Sequence, residues 1–187
     1  MALDRDLIVR TAFVQLDELG LEALSLRKLA KDLAVHPSAL YYHFRNKQDL
    51  LDEMARALIR PAVRQQDPPA SDAWDAWLTH LAHAQRAAMR SRRDGALLMI
   101  KARPNADYQV EYLNRLIERL VAQGFSHKDA AAAFIAVSTY TIGAAVAEQQ
   151  QDALAANSTA GFESIAGASA DETFDVGLRW LLSGMRP

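Results

Sequence analysis

Residues 24–46 read LSLRKLAKDLAVHPSALYYHFRN, and two short helices fit into them with almost nothing between. Ser25 suits an N-cap, because its hydroxyl can accept from the free amides of a first helical turn. Leu26, Leu29, Ala30 and Leu33 then recur at three- and four-residue steps, the spacing of one helix face. Pro37 suits the first turn of a second helix, where its missing N–H costs nothing. Leu40 and Phe44 are the inward residues of that helix. Only two or three residues around Ala34-Val35 join the pair. So tight a link matches a helix-turn-helix, whose second helix enters the major groove of DNA.

The charge is distributed to match. Over residues 25–48 the basic side chains are Arg27, Lys28, Lys31, Arg45 and Lys47 against Asp32 alone, a net +4. Residues 1–60 as a whole hold nine basic and nine acidic residues, and the full chain carries −2. That balance excludes a bulk-basic nucleic-acid binder and concentrates positive charge where phosphates would lie. His36, Ser38, Ala39, Tyr41, Tyr42 and His43 fall on the polar side of the second helix. Hydroxyls there can reach phosphates or bases, and the alanine methyl can pack on a thymine methyl. The same residues also fit an ordinary helical hairpin with a solvated charged face.

Outward from this unit, nearly every segment has helical period. Ile8, Ala12, Leu16 and Leu19, with Phe13 beside them, form one stripe closed by Gly20. Leu50, Leu51, Met54 and Leu58 predict a fourth helix that stops near Pro61. Residues 65–70, QQDPPA, are the best boundary, dividing the chain into 1–46, a connecting helix 47–64, and 65–187. Ser71 or Asp72 then caps a helix with Trp74, Trp77, Leu78, Leu81 and Ala88 inward. A short helix follows Asp94-Gly95 and ends near Pro104. Val110, Leu113, Leu116, Ile117, Leu120 and Val121 line the next, closed by Gly124. Ser126 to Asp129 resembles a capping box and opens an Ala-rich helix to about Gln151. Residues 152–170, rich in Ala, Ser and Gly, predict a mobile loop. Asp171 starts a last helix with Phe174, Leu178, Leu181, Leu182 and Met185 on one face. With no strand pattern, the fold class is all-α.

Composition narrows the function. The 187 residues are 50% apolar, enough for a real core, and include no cysteine, so there is no disulfide, thiolate metal site or thiol nucleophile. A reducing cytoplasm fits. The longest unbroken apolar runs fall short of the ~18–20 residues that span a bilayer, and MALDRDLIVRTAF is too charged for a signal peptide. No membrane partner is expected. No Ser-His-Asp spacing, phosphate-cradling glycine loop or paired carboxylates point to an enzyme, so no catalytic residue and no cofactor is expected. His80 and His83 lie three apart on one helix, but without a third ligand they read as surface residues rather than a metal site.

The stretch LSLRKLAKDLAVHPSALYYHFRNKQDLLDEM strongly resembles the DNA-binding domain of the tetracycline-repressor (TetR) family. SRRDGALLMIKARP, LVAQGFS and AVSTYTIGAAV resemble the effector domain of the tetracycline repressors themselves. The resemblance implies a homodimeric repressor, a pseudo-palindromic double-stranded DNA operator and a small-molecule effector. It makes 1–46 the DNA-binding domain and 65–187 the effector-binding and dimerisation domain. Arg27 matches an arginine that reaches a base. Pro37, Ser38 and Ala39 occupy the base-reading turn, where tetracycline repressors carry Gln-Pro-Thr. Tyr41, His43 and Lys47 match phosphate-contacting positions, and Tyr42 stands where that branch has Trp. Losing a glutamine able to bond adenine in two places removes ~1–3 kcal/mol of discrimination, so a different operator is expected.

For the effector pocket, the candidates are Trp77, His80, Leu81, Gln85, Met99, Tyr112 and Leu116, each of which also fits plain core packing. Positions that match contacts to the drug's polar edge are Val63, Leu81, Ala102 and Leu116, all apolar. Met99 stands where the branch has a histidine on Mg²⁺, and a thioether is a poor ligand for so hard a cation. The partner's metal-holding glutamate matches Ala147, with Glu148 adjacent as a possible stand-in. A more apolar ligand than a tetracycline–Mg²⁺ chelate is expected. Arg86, Arg90, Arg92, Arg93, Lys101 and Arg103 are expected in helix-end and ion-pair contacts rather than on a second nucleic-acid surface. Ala130 to Val146, dense in small residues, and the final helix resemble the family's four-helix dimer interface. The short helix after Gly95, a residue with free φ, is expected to link pocket and reading heads. A helical small-molecule-binding or interaction protein without specific DNA binding is the alternative, against which Arg27, Tyr41, His43 and Lys47 speak.

Overall fold

The computed structural model describes residues 3–64, 73–103, 106–156 and 168–187; the side chains of residues 62–64, 106–112 and 156 lie outside that description. Asp4 opens α1 (Arg5–Leu19), its carboxylate accepting from the Leu7 amide at 2.7 Å. Gly20, at φ +79°, ends it in a conformation that side chains disfavour. Ser25 caps α2 (Leu26–Asp32), and the His36 ring accepts from the Ser38 amide at the start of α3 (Pro37–His43). Between them Ala34 sits at φ +53°. The Val35 amide donates back to the Ala30 carbonyl at 2.9 Å and the Ala34 amide to Lys31 at 3.1 Å, a two-bond helix ending. α4 (Lys47–Arg64) packs across α1. Ile8, Leu16, Leu29, Leu40, Phe44, Leu50 and Met54 are fully buried where these four helices meet.

The rest of the described chain is also helical: α5 (Trp74–Arg90), α6 (Gly95–Lys101), α7 (Ala106–Val121), α8 (His127–Ala156) and α9 (Ala170–Ser183). Trp77, Leu78, Leu120, Val137, Phe174 and Leu178 anchor a second core among α5, α7, α8 and α9. A small third cluster, Met89, Ala96 and Ala145 with Ile59 and Met99 against it, ties α4, α5, α6 and α8 together. α8 is the central strut, touching α5, α6, α7 and α9.

Several boundaries differ from expectation. Leu19 is 38% exposed, because Gly20 turns the chain away just beyond it. α4 runs three residues past Pro61, whose missing N–H removes a single backbone bond near the helix end. α8 extends through residues 152–156, as the alanines there favour helix, while 157–167 of the expected loop lie outside the described residues. The expected caps Ser71 and Asp72 and the break at 65–70 also lie outside them. α9 begins one residue before Asp171, capped by Ser169 and Glu172 in a reciprocal box. The left-handed residue of the α5–α6 turn is Asp94, at φ +54°, and not Gly95. Gly95 is small for another reason: a Cβ there would lie 2.1 Å from the Met89 carbonyl oxygen. Counting unbroken apolar runs also missed α8, which is long and apolar enough to cross a bilayer by length and composition alone.

Candidate nucleic-acid interface and ligand core

Burying Leu40 and Phe44 turns the opposite side of α3 outward. Tyr42 is 90% exposed, Tyr41 52%, and Ser38 and Arg27 are exposed beside them. Pro37, Ala39, His43 and Lys47 are half-buried at the edges of this face. The Tyr42 ring meets the His43 ring edge-on, with centroids 5.5 Å apart, and otherwise faces outward. The His36 ring nitrogen and the Ser38 hydroxyl lie 2.8 Å apart. The Lys47 ammonium donates to the Leu21 carbonyl at 3.3 Å, bridging the α1–α2 turn to α4. Arg45 is bound to Asp49 at 2.8 Å; that hydrogen bond raises the arginine's pKa and lowers the carboxyl's. Among the described residues Arg27, Lys28 and Lys31 make no ion pair, so the open positive charge lies along α2. Sequence reasoning missed Arg5. Its guanidinium donates to the His43 carbonyl at 2.6 Å and lies 4.3 Å over the Phe44 ring, fixing the end of α3. No local pattern announces a contact between residues so far apart in sequence.

The ligand candidates divide into layers. Trp77, Leu81 and Leu116 share the second core, with the Arg119 guanidinium 4.8 Å from the Trp77 ring. Gln85, on the same helix, is 8% exposed. Met99 packs against the first and third cores, and Ala102 against the first. His80 faces outward, its ring nitrogen 2.9 Å from the Ala76 carbonyl. It borders a groove of about 650 Å³ between α5 and α9, with Trp74, His83, Asp175 and Leu178. His83 is paired there with Asp175 at 3.1 Å. The side chains of Val63 and Tyr112 lie outside the described residues.

Arg86, Arg90, Arg92, Arg93 and Lys101 of the second basic stretch are engaged internally through their side chains. Arg92 binds Asp17 at 2.6 Å, and Arg93 donates to the Glu18 carbonyl at 2.9 Å. Asp94 accepts the Leu21 amide at 2.8 Å, and Lys101 pairs with Glu22. The Arg103 amide donates to Asp52 at 2.7 Å. Arg86, 6% exposed, binds Glu148 at 3.0 Å and Asp171 at 2.7 Å, which lowers the pKa of Asp171. Arg90 also reaches Glu148, at 3.3 Å. Glu148 is thus 7% exposed and held by two arginines.

Residues 8–54 match the family model described as bacterial regulatory proteins, tetR family. Residues 67–165 match the tetracyclin repressor-like C-terminal domain. The chain is similar to the tetracycline repressor protein class A from transposon 1721 of Escherichia coli, at 39% identity over 145 residues, 78% of this chain and 67% of that one. Its structure is similar to that of a TetR variant from Acinetobacter baumannii AYE in complex with minocycline, with TM-score 0.84, 34% identity and 98% and 96% of the two chains covered. It is likewise similar to BioQ with its natural double-stranded DNA operator, with TM-score 0.77, 31% identity and 98% of each chain covered.

Proposed function

Since this chain belongs to the tetR family of bacterial regulatory proteins, we propose that it represses transcription as a homodimer and is released from a pseudo-palindromic operator by an apolar small molecule. It is a ligand-responsive DNA-binding regulator and not an enzyme, and a cytoplasmic location goes with that work. In this reading residues 1–46 are the DNA-binding domain, 47–64 the connecting helix, and 65–187 the effector and dimerisation domain. The observation that carries the DNA contact is the outward face of α3, with Tyr42 90% exposed beside the open cations of α2. Arg27, Pro37, Ser38, Ala39, Tyr41, Tyr42, His43 and Lys47 make up the contact set.

The effector set centres on Trp77, Leu81, Gln85 and Leu116, with Met99 and Ala102 one layer nearer the heads and His80 standing apart on the outer face. Tetracycline–Mg²⁺ does not fit these residues. Met99 offers a single soft thioether among Leu, Ile and Ala side chains, and Glu148 is committed to Arg86 and Arg90. Each buried polar group of the drug left unpaired costs ~1–3 kcal/mol, and ~1.4 kcal/mol is a factor of ten in affinity.

Three measurements test this reading. Selection of duplexes from a random pool should return two half-sites about one helical turn apart. Lys47→Ala should then weaken binding to all sequences alike and lower the salt slope by about one. Titration with tetracycline and Mg²⁺, followed by fluorescence, should show no saturable sub-micromolar binding. Recovery of no preferred sequence overturns the operator claim, and tight Mg²⁺-dependent binding overturns the apolar effector.

A further inference from the structure

One side chain of α8 closes the turn between α5 and α6. The Gln149 amide nitrogen donates to the Arg92 carbonyl at 2.7 Å and to the Met89 carbonyl at 3.1 Å. Its amide oxygen accepts the Ala96 N–H at 3.1 Å. Both donors and the acceptor of one carboxamide are therefore used. The groups they satisfy are those that helices leave open: a last-turn carbonyl of α5, a first-turn amide of α6, and a carbonyl between. Beside these bonds the Gly95 amide donates to the Arg92 carbonyl at 3.1 Å, and Met89 and Ala96 pack on Ala145 of α8. Asp94 holds a left-handed backbone, and Gly95 sits too close to Met89 for any side chain.

The other side of the same turn grips the reading head. Arg92 and the Arg93 amide hold Asp17, the Arg93 guanidinium holds the Glu18 carbonyl, and Asp94 holds the Leu21 amide, all at the α1–α2 corner. Three consecutive residues thus join head to body, and Gln149 joins the first of them, through the Arg92 carbonyl, to the strut helix.

We propose that Gln149 is the positioning residue that fixes the head against α8, and through α8 sets the separation of the two heads in the dimer. This rests on the dimeric repressor reading above. It acts through the turn and touches neither DNA nor effector.

The absence of cysteine makes a direct test simple. Arg10, exposed on α1, is replaced by Cys, spin-labelled, and the label-to-label distance is measured in the DNA-free protein by pulsed electron resonance. The parent should give one narrow distance, and Gln149→Ala a distribution at least about twice as broad. Affinity for the selected operator should fall about tenfold, within the usual range of site-to-site coupling. Asp17→Asn, on the exposed side of the junction, should do the same, and it serves alone should Gln149→Ala fail to fold. The double variant should lose no more than the worse single variant, because both break one linkage. Losses that multiply, or unchanged distances, overturn the proposal. A parent with no interlabel distance sinks the dimer reading instead. In that case hydrogen exchange of amides 92–97 still decides whether Gln149 holds the turn: unaltered exchange in Gln149→Ala refutes it, and faster exchange supports it.

Discussion

Ala34 shows what one position can carry. It is the C′ residue of α2, at φ +53°, a place usually held by glycine because a Cβ there crowds the following carbonyl. That crowding costs ~1–2 kcal/mol, while glycine would lose ~0.4–1 kcal/mol through the freer unfolded chain. Ala34→Gly should therefore stabilise the protein by ~0.5–1 kcal/mol, read as a higher thermal midpoint; a lower midpoint refutes the strain. The Ser25 cap and the place of Pro37 in the first turn of α3 were legible because both are local chemistry, one residue and the amides beside it. The left-handed residue at Asp94 was not. Gly95 beside it drew the assignment, since glycine is the usual tenant of such a backbone. What makes Gly95 necessary is a carbonyl six residues earlier, and what makes Asp94 tolerable is the Leu21 amide it accepts from the α1–α2 turn. Both are tertiary facts. The same distance hid Arg5, whose partners lie 38 and 48 residues away.

At the scale of the element, α6 is seven residues long, too short to persist without its neighbours. Its start, read from sequence as a pliable hinge, is a packed corner. From sequence, Gly95→Val would stiffen the hinge and leave operator affinity alone. The corner instead has no room for a Cβ, so the valine must push α6 off α5. Overpacking of this kind costs ~1–3 kcal/mol, and the grip of residues 92–94 on α1 should loosen with it. Both thermal midpoint and operator affinity should fall, measured by melting and by fluorescence anisotropy. Normal values for both would mean the corner yields freely. Most of the helices were legible through their 3.6-residue period, and α8, which has almost none, through its run of alanines. Their ends were harder. Pro61 does not stop α4, because the bond it removes lies near the helix end, and the loss of period after Gln151 does not stop α8, because the alanines there still favour helix.

For the whole molecule the telling feature is what one chain leaves uncovered. Within it only 28% of the most apolar stretch of α8 is buried. Ile135 on that helix is 62% exposed and Trp180 on α9 72%, and nothing lies within 4 Å of where a Cβ of Gly143 would stand. This face suits a second copy of the chain, as the small-residue run of α8 and the apolar final helix had implied. Trp180→Asp should leave the monomer's helices intact and give a single-chain mass in sedimentation at micromolar concentration. A persistent dimer would move the interface elsewhere. The ligand core was the least legible part, because Trp77, Leu81 and Leu116 have the same sequence signature whether they pack on one another or on a guest.

A chain that relies on its twin to cover its longest apolar helix obeys mass action in its very persistence. Anything that binds the folded form stabilises it by RT ln(1 + [L]/Kd), and here the ligand is the protein itself. Its melting temperature should climb with its own concentration, and dilution alone should erode it. Operator occupancy at low supply then scales with roughly the square of the number of chains made, so a modest change in synthesis becomes a sharp change in silencing.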